Sequence, residues 1–310
     1  MDNFFIVGRE VVVLFTLIGV GAVCRLARLV DAAAVSGFVK VLVMVVTPAV
    51  VVEVFQRPFD PAMLAQFGLA FAIAVLAHLG QIAIACALVG GDATRRPVHR
   101  LAAVFSNAGF MGIPLEYAIL GPEGVFYGVV YVAVFNLFIW SWGLVTMRGE
   151  TRAAGGSRRQ MFVNPGTIGL AVGLPLFLLS VTLPPVLREP VKMLADLNTP
   201  LAMLVIGYYL AGADLRSVVR SPGAWTAAWL RLIGVPLLLI AALYPFRGAL
   251  SRPMSLALVT AAAAPVAAMV TMFAAKFDRD VDTAVGLVGG TTLLSVVTLP
   301  AVIALAMAVL

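Results

Sequence analysis

Charged residues are scarce in this sequence. Asp, Glu, Lys and Arg make up 12% of the 310 residues, whereas hydrophobic residues make up 62% and the mean hydropathy is +1.05. A water-soluble domain carries about 25% charged residues, so the composition excludes that class. We predict an all-α integral membrane protein that crosses the plasma (inner) membrane several times.

Cysteine and histidine are also scarce. Cys24 and Cys86 both lie in apolar stretches, which argues against a disulfide framework. His78 and His99 have no motif partner, and no phosphate-binding loop, metal-ligand spacing or nucleophile motif is present. We therefore expect no enzyme, with no catalytic residues, no metal site and no cofactor.

Long apolar runs dominate what is present. A helix needs about 20 apolar residues to cross the hydrocarbon core of a bilayer. Breaks at charged or Pro/Gly-rich positions divide the sequence into ten predicted spans: 5–28, 36–55, 63–90, 99–120, 124–147, 164–183, 188–212, 222–244, 253–276 and 281–309.

The net charge of +6 has an uneven distribution that predicts orientation rather than nucleic-acid binding. Most Lys and Arg residues follow the odd-numbered spans, as with Arg95, Arg96 and Arg100, or Arg158 and Arg159. Loops rich in Lys and Arg usually face the cytoplasm. Both termini are then predicted to lie outside.

The most polar segment, 148–163, lies near the midpoint and is predicted to be a cytoplasmic linker. Residues 1–147 and 164–310 would each hold five spans. An odd number of spans per half places the halves in opposite orientations, the inverted-repeat plan of many secondary transporters. Thr47-Pro48 and Thr199-Pro200 occupy matching places in the two halves.

Span 4 contains a segment that disfavours a continuous helix. Pro114 lacks a backbone donor and clashes with the carbonyl four residues back, while Gly109 and Gly112 lower helix propensity. Irregular backbone at membrane depth occurs where it is buried in protein or lines a wet cavity. With the polar side chains of Ser106 and Asn107 beside it, the segment is a predicted binding site.

Span 9 carries a matching proline in the sequence Ala264-Pro265-Val266. A proline suits the first position of a second half-helix. In an inverted repeat, the half-helix N-termini of spans 4 and 9 would point at the membrane midplane from opposite sides. Each such end carries about +0.5 elementary charge and free N–H groups, so the pair predicts an anion site. Simple proline kinks are the alternative.

These segments resemble the auxin efflux carrier family, which includes bacterial permeases for malate, malonate and related acids. The resemblance rests on 105–115 in span 4, 200–207 in span 7, Ala264-Pro265 in span 9, Asn136 in span 5, and 291–300 in span 10. The short linker favours the bacterial permease branch.

The resemblance implies a ten-helix fold, a 5+5 inverted repeat with broken, crossing helices 4 and 9. Helices 1, 2, 6 and 7 would form a scaffold and a homodimer interface, and helices 3–5 and 8–10 a mobile transport domain. Its implied cargo is a small organic anion, moved by alternating access. The implied substrate-binding set adds Asn136, Thr291 and Ser295 to the two breaks. The alternative for Asn136 is a hydrogen bond between helices, and the alternative for Thr291 and Ser295 is hydrogen bonding to backbone carbonyls within span 10.

Five ionisable residues lie within or near the spans: Glu53, His78, Glu116, Asp196 and Arg231. Intramembrane charges are costly and are often functional. For the carboxylates, proton coupling and an interfacial or structural role both remain open, and His78 is either a packing residue or a proton relay. Arg231 could neutralise an anionic substrate or pair with a nearby carboxylate. The coupling ion would be H⁺ or Na⁺.

Two other functions stay open. A sodium-coupled bile-acid-type symporter shares the architecture and would need acidic and amide ligands around the crossing. A passive channel or sensor is the less favoured reading.

Overall fold

The structure, a computed structural model, describes residues 2–149, 165–212 and 221–310. Within these ranges the chain is helical and has no strand. The α-helices are α1 (Asp2–Leu26), α2 (Ala32–Val41), α3 (Thr47–Val54), α4 (Pro61–Leu88), α5 (Arg95–Val104), α6 (Ile113–Phe138), α7 (Leu144–Arg148), α8 (Pro165–Leu178), α9 (Pro185–Asp196), α10 (Asn198–Leu210), α11 (Pro222–Trp229), α12 (Val235–Leu243), α13 (Arg252–Ala263), α14 (Met269–Lys276) and α15 (Val281–Val309). The all-α prediction is confirmed, and most of the predicted linker lies outside the described residues.

Among the described residues, six helical segments are long and apolar enough to cross a membrane: Ala32–Val54, Pro61–Leu88, Ala108–Arg148, Pro185–Leu210, Pro222–Phe246 and Val281–Val309. Two shorter apolar helices are Val12–Leu26 and Thr167–Leu178. Predicted spans 4 and 9 are each interrupted, so each is divided into shorter helices. Spans 4 and 5 are joined through a bend at Gly121, where φ is 67°. The count of ten crossings stays a prediction.

Several helices widen by one π-turn just before a proline. The π-turns Leu42–Val46, Ala108–Gly112 and Leu230–Gly234 each end two residues before Pro48, Pro114 and Pro236, respectively. An α-helical proline clashes with the carbonyl four residues back, and a wider turn relieves that clash. These helices therefore continue through their prolines.

Pro114 was expected to mark the break in span 4, and that position was wrong. The non-helical residues lie earlier, between the end of α5 at Val104 and the π-turn that begins at Ala108. Pro114 lies inside the helix that follows, because the π-turn accommodates it. In span 9, Pro265 does lie in the interruption between α13 and α14.

The helices of predicted spans 1 and 7 pack closely through glycines. A Cβ on Gly21 of α1 would meet the backbone of Leu204, and a Cβ on Gly207 of α10 would meet the backbone of Ile18. Small residues let transmembrane helices approach at backbone distance. Likewise α3 packs against α8 and α9.

A second set of helices surrounds the interruptions. Helix α6 packs along α13 and α4, while α5 packs against α11 and α4. At one end of this set, Arg95 Nε lies 2.8 Å from Asp280 Oδ2, and Arg279 donates to the carbonyls of Met147 and Ala93. These contacts connect the start of α5 and the end of α7 to the segment before α15.

Candidate functional site

The two helix interruptions bond to each other through their backbones. The N–H of Asn107 donates to the Pro265 carbonyl at 2.6 Å, and the N–H of Ala267 donates to the Phe105 carbonyl at 2.9 Å. Ser106 and Val266 form an isolated antiparallel bridge between these bonds. Each interruption thus accepts a hydrogen bond from a backbone N–H of the other that has no acceptor in its own helix, as a buried irregular backbone requires.

The first half-helices end at a shared basic side chain, Arg231. This residue is 0% exposed, and its Nη1 donates to the Val104 carbonyl at 2.7 Å and makes a longer bond to the Ala103 carbonyl. Its Nη2 donates to the Ala262 carbonyl. The final carbonyls of a helix are unpaired and carry partial negative charge. Arg231 therefore caps α5 and α13 together.

The second half-helices begin beside the bridge with their amides free of side-chain caps. Asn107 is the N-cap of the first, with no side-chain cap bond, and Ala268 is the N-cap of α14. First-turn N–H groups lack the regular partner four residues back and attract anions. In α14, the N–H groups of Val270 and Thr271 donate instead to the carbonyls of Ala267 and Ala268. The Ser106 hydroxyl is buried there without a hydrogen-bond partner among the described residues.

Thr291 reaches the second interruption from α15. Its Oγ1 accepts from the Val266 N–H at 3.1 Å and donates to the Leu287 carbonyl of its own helix. Thr291 therefore holds the irregular backbone in place, which explains why a hydroxyl is needed at that point of an apolar helix.

Two other predicted site residues use their polar groups locally. The Asn136 amide donates to the Val132 carbonyl one turn back, and the Ser295 hydroxyl donates to the Thr292 carbonyl. Ser295 is buried and Asn136 half-buried. Neither side chain bonds to the interruptions in this conformation.

A small cleft opens beside the first interruption. Its volume is about 30 Å³, close to that of one water molecule. The cleft lies between two groups of helices. Thr47 of α3 and Asn198 of α10 line one side, and Gly109 of the π-turn and Ile113 of α6 line the other. The other lining residues are Val50, Val51, Val129, Val132 and Ala133. Of the predicted site residues, Gly109 lines this cleft.

The remaining ionisable residues have different surroundings. Glu53 pairs with Arg188 at 2.9 Å, and Asp196 pairs with Lys192 at 2.9 Å. His78 is buried, stacked on Phe138, with Nδ1 bonded to the Ala74 carbonyl. These contacts favour structural pairing for all three predicted candidates.

The structure therefore brings together Ser106, Asn107, Ala264, Pro265, Val266 and Thr291, with Gly109, Gly112 and Pro114 on the following helix. Sequence reasoning left the role of Arg231 open and missed Asn198. The Thr199-Pro200 match in span 7 was the available signal for Asn198. No local signal shows that Arg231 joins two helix ends.

Comparison with known proteins gives one match over nearly the whole sequence. A family described as membrane transport protein matches residues 6–303. The search of curated proteins gives no match.

Proposed function

This chain belongs to the membrane transport protein family, which is the auxin efflux carrier family, and we propose that it moves a small organic anion across the membrane. The substrate class in this proposal is carboxylates, and the site is the paired interruptions. Alternating access between two conformations would carry the bound anion across. We keep the bacterial malate- and malonate-type permeases as the nearest functional type.

One observation carries the proposal: two interrupted helices bond to each other beside uncapped half-helix N-termini. Asn107 N–H to Pro265 and Ala267 N–H to Phe105 fix that geometry. Paired N-termini would offer two positive dipole ends to one ligand, and the half-helix that begins at Ala108 would also offer its first-turn N–H groups. Such ends recognise carboxylate groups in transporters with broken helices.

Electrostatics around the interruptions favour an anion. Arg231 is fully buried and bonds to carbonyls and to the Gln81 amide oxygen, with no carboxylate bonded to it among the described residues. Because carbonyl groups rather than a carboxylate pair with Arg231, its full positive charge is not cancelled and would add to the attraction for an anionic ligand. Ser106 and Asn107 would supply side-chain hydrogen bonds to that ligand.

Packing supports the division into two moving parts. Helix α1 packs along α10, and helix α3 packs against α8 and α9. These contacts are expected for a scaffold formed by predicted spans 1, 2, 6 and 7. Helices α4, α5, α6 and α13 enclose the interruptions, as expected for a transport domain. The cleft that includes Gly109 lies between the two parts. We propose that substrate enters along this boundary, in a ten-helix 5+5 fold that assembles as a homodimer.

Thermal-shift measurements with malate, malonate and acetate, at varied pH and sodium, would test the proposal. A ligand that binds the native state raises its stability by mass action. We expect at least one carboxylate to raise the melting temperature and to exchange in proteoliposome counterflow. A protein that no member of this panel stabilises or exchanges would contradict a carboxylate carrier.

Orientation is tested separately by labelling. In a variant without Cys24 and Cys86, single cysteines placed at Ser157 and after Leu310 should react with an impermeant reagent from opposite sides. That result is expected from the positive-inside rule. Reaction of both positions from one side would contradict five spans in each half.

A further inference from the structure

Glu116 is a buried acid that the proposed anion site does not use. It lies on α6, downstream of the first interruption, and its side chain is 0% exposed. Both carboxylate oxygens are buried without a hydrogen-bond partner among the described residues. Glu53 and Asp196, by contrast, each have a cationic partner. Glu116 therefore differs from these other acids near the spans.

The surroundings of Glu116 are made by small residues. Its carboxylate fills the space that a Cβ on Gly128 would take, and its Oε1 lies 3.7 Å from the Cβ position of Gly112. The Cα of Ala261 on α13 borders the same space beside Gly112. Within the described ranges, no titratable or charged side chain on the helices packed around Glu116 interacts electrostatically with its carboxyl group. Glycine at position 128 therefore leaves room for the carboxyl group of Glu116.

An ionised carboxylate is poorly suited to this environment. Burying a charge is costly unless it is paired or hydrogen-bonded, and a protein usually avoids the cost by keeping the group neutral. Protonated Glu116 carries no charge, so the small apolar pocket accepts it. In this conformation, the pocket therefore favours the neutral carboxylic acid over the carboxylate.

We propose that Glu116 is the protonation site that couples anion transport to proton movement. The inference rests on the proposed function. While the pocket is closed, Glu116 is a neutral acid. When the helices separate, water reaches the carboxyl group, its O–H bond breaks, the proton passes to water and the carboxylate remains. In the conformation open to the opposite side, water there returns a proton to the carboxylate, and the pocket closes on the neutral acid.

The position of Glu116 connects it to both interruptions. It lies one turn after Gly112 on the helix that leaves the first interruption. It also faces the contact with α13, the helix that leads into the second. A shift of either helix changes the space around the carboxyl group. This placement lets the protonation state respond to the conformation of the anion site.

Infrared spectroscopy tests the protonated state directly. The reconstituted protein, labelled with ¹³C-glutamate, should show a protonated carboxyl band at neutral pH that shifts with the label. The band should disappear in Glu116→Gln and persist in Glu189→Gln, which removes an exposed acid. Absence of the band in the parent protein overturns the proposal, and this result needs no variant to fold.

Transport measurements test the coupling, using whichever of malate, malonate or acetate gives counterflow. Glu116→Gln mimics the neutral acid, so it should keep counterflow and lose accumulation driven by a pH gradient. Glu116→Asp should recover part of that accumulation, and Glu189→Gln should behave as the parent. Accumulation retained by Glu116→Gln overturns the proposal. Failure of all three carboxylates contradicts the proposed function, while the infrared band still decides whether Glu116 is protonated.

Discussion

The two helix interruptions share a backbone arrangement and differ in their side chains. The first carries Ser106 and Asn107, whereas the second, Ala264 to Ala267, has no polar side chain and borrows the hydroxyl of Thr291. The helix after the first interruption is long, and α14 after the second has 8 residues. Under the proposed function, we therefore expect the first interruption to contact the ligand through side chains and the second to supply backbone and packing.

Arg231 is the feature that both interruptions share, so its loss should have the largest effect. Arg231→Met leaves the carbonyls of Val104 and Ala262 without their charged donor. We expect a loss of about 2–6 kcal/mol in stability, because each buried carbonyl left without a donor costs about 1–3 kcal/mol, and a loss of counterflow. Thermal unfolding in nanodiscs measures the loss of stability.

Two control variants sharpen this expectation. Arg231→Lys keeps the charge but lacks the planar fork that reaches two helix ends, so it should be intermediate. Arg247→Met removes an exposed arginine that stacks on Tyr244 and should have little effect. If Arg231→Met were as stable as Arg247→Met, the shared-cap interpretation would be wrong.

The difference between the interruptions predicts opposite effects of substitution. Asn107→Ala should weaken carboxylate binding by about 1–3 kcal/mol, the scale of a hydrogen bond to a charged group, and leave folding intact. Val266→Ala should keep the affinity and lower stability by about 2 kcal/mol through lost packing. Concentration-dependent thermal shifts separate affinity from stability. Equal effects on affinity would show that both interruptions contact the ligand through side chains.

Adjacent threonines on α15 offer a matched pair. Thr291→Val removes the acceptor of the buried Val266 N–H, which should cost about 1–3 kcal/mol. Thr292→Val removes only a hydroxyl that bonds within its own helix, so the cost should stay below about 1 kcal/mol. Chemical or thermal unfolding of both variants makes the comparison. The expectation fails if Thr292→Val is the more damaging change.

The prolines should give the smallest change in stability. Pro114→Ala restores a backbone donor inside a continuing helix, so the protein should be at least as stable, within about 1 kcal/mol. Its counterflow should slow, because a regular turn would move the half-helix that begins at Ala108. Pro265→Ala acts within the irregular segment and should slow counterflow more. Unfolding and counterflow assays on both variants test this order, and a larger transport defect in Pro114→Ala would reverse it.

Much of the site was predictable because its signals are local. Glycine and proline disfavour a regular helix wherever they occur, so 105–115 and 264–266 stood out in apolar spans. The place of the first break was missed by several residues. A proline can be accommodated by a π-turn, and the sequence does not show whether a helix will widen or end.

The sequence by itself determined that the chain is an apolar, all-α membrane protein and which two segments are irregular. Hydropathy and proline sterics depend on residues that are neighbours along the chain, so both can be assessed without knowing the fold. Only the tertiary structure decided that Arg231 caps both α5 and α13, that Thr291 accepts from the Val266 N–H, and that Glu116 has no hydrogen-bond partner in the described part of the chain. These roles depend on which distant backbone or side-chain atoms lie within hydrogen-bond reach, and that is set by how the helices pack.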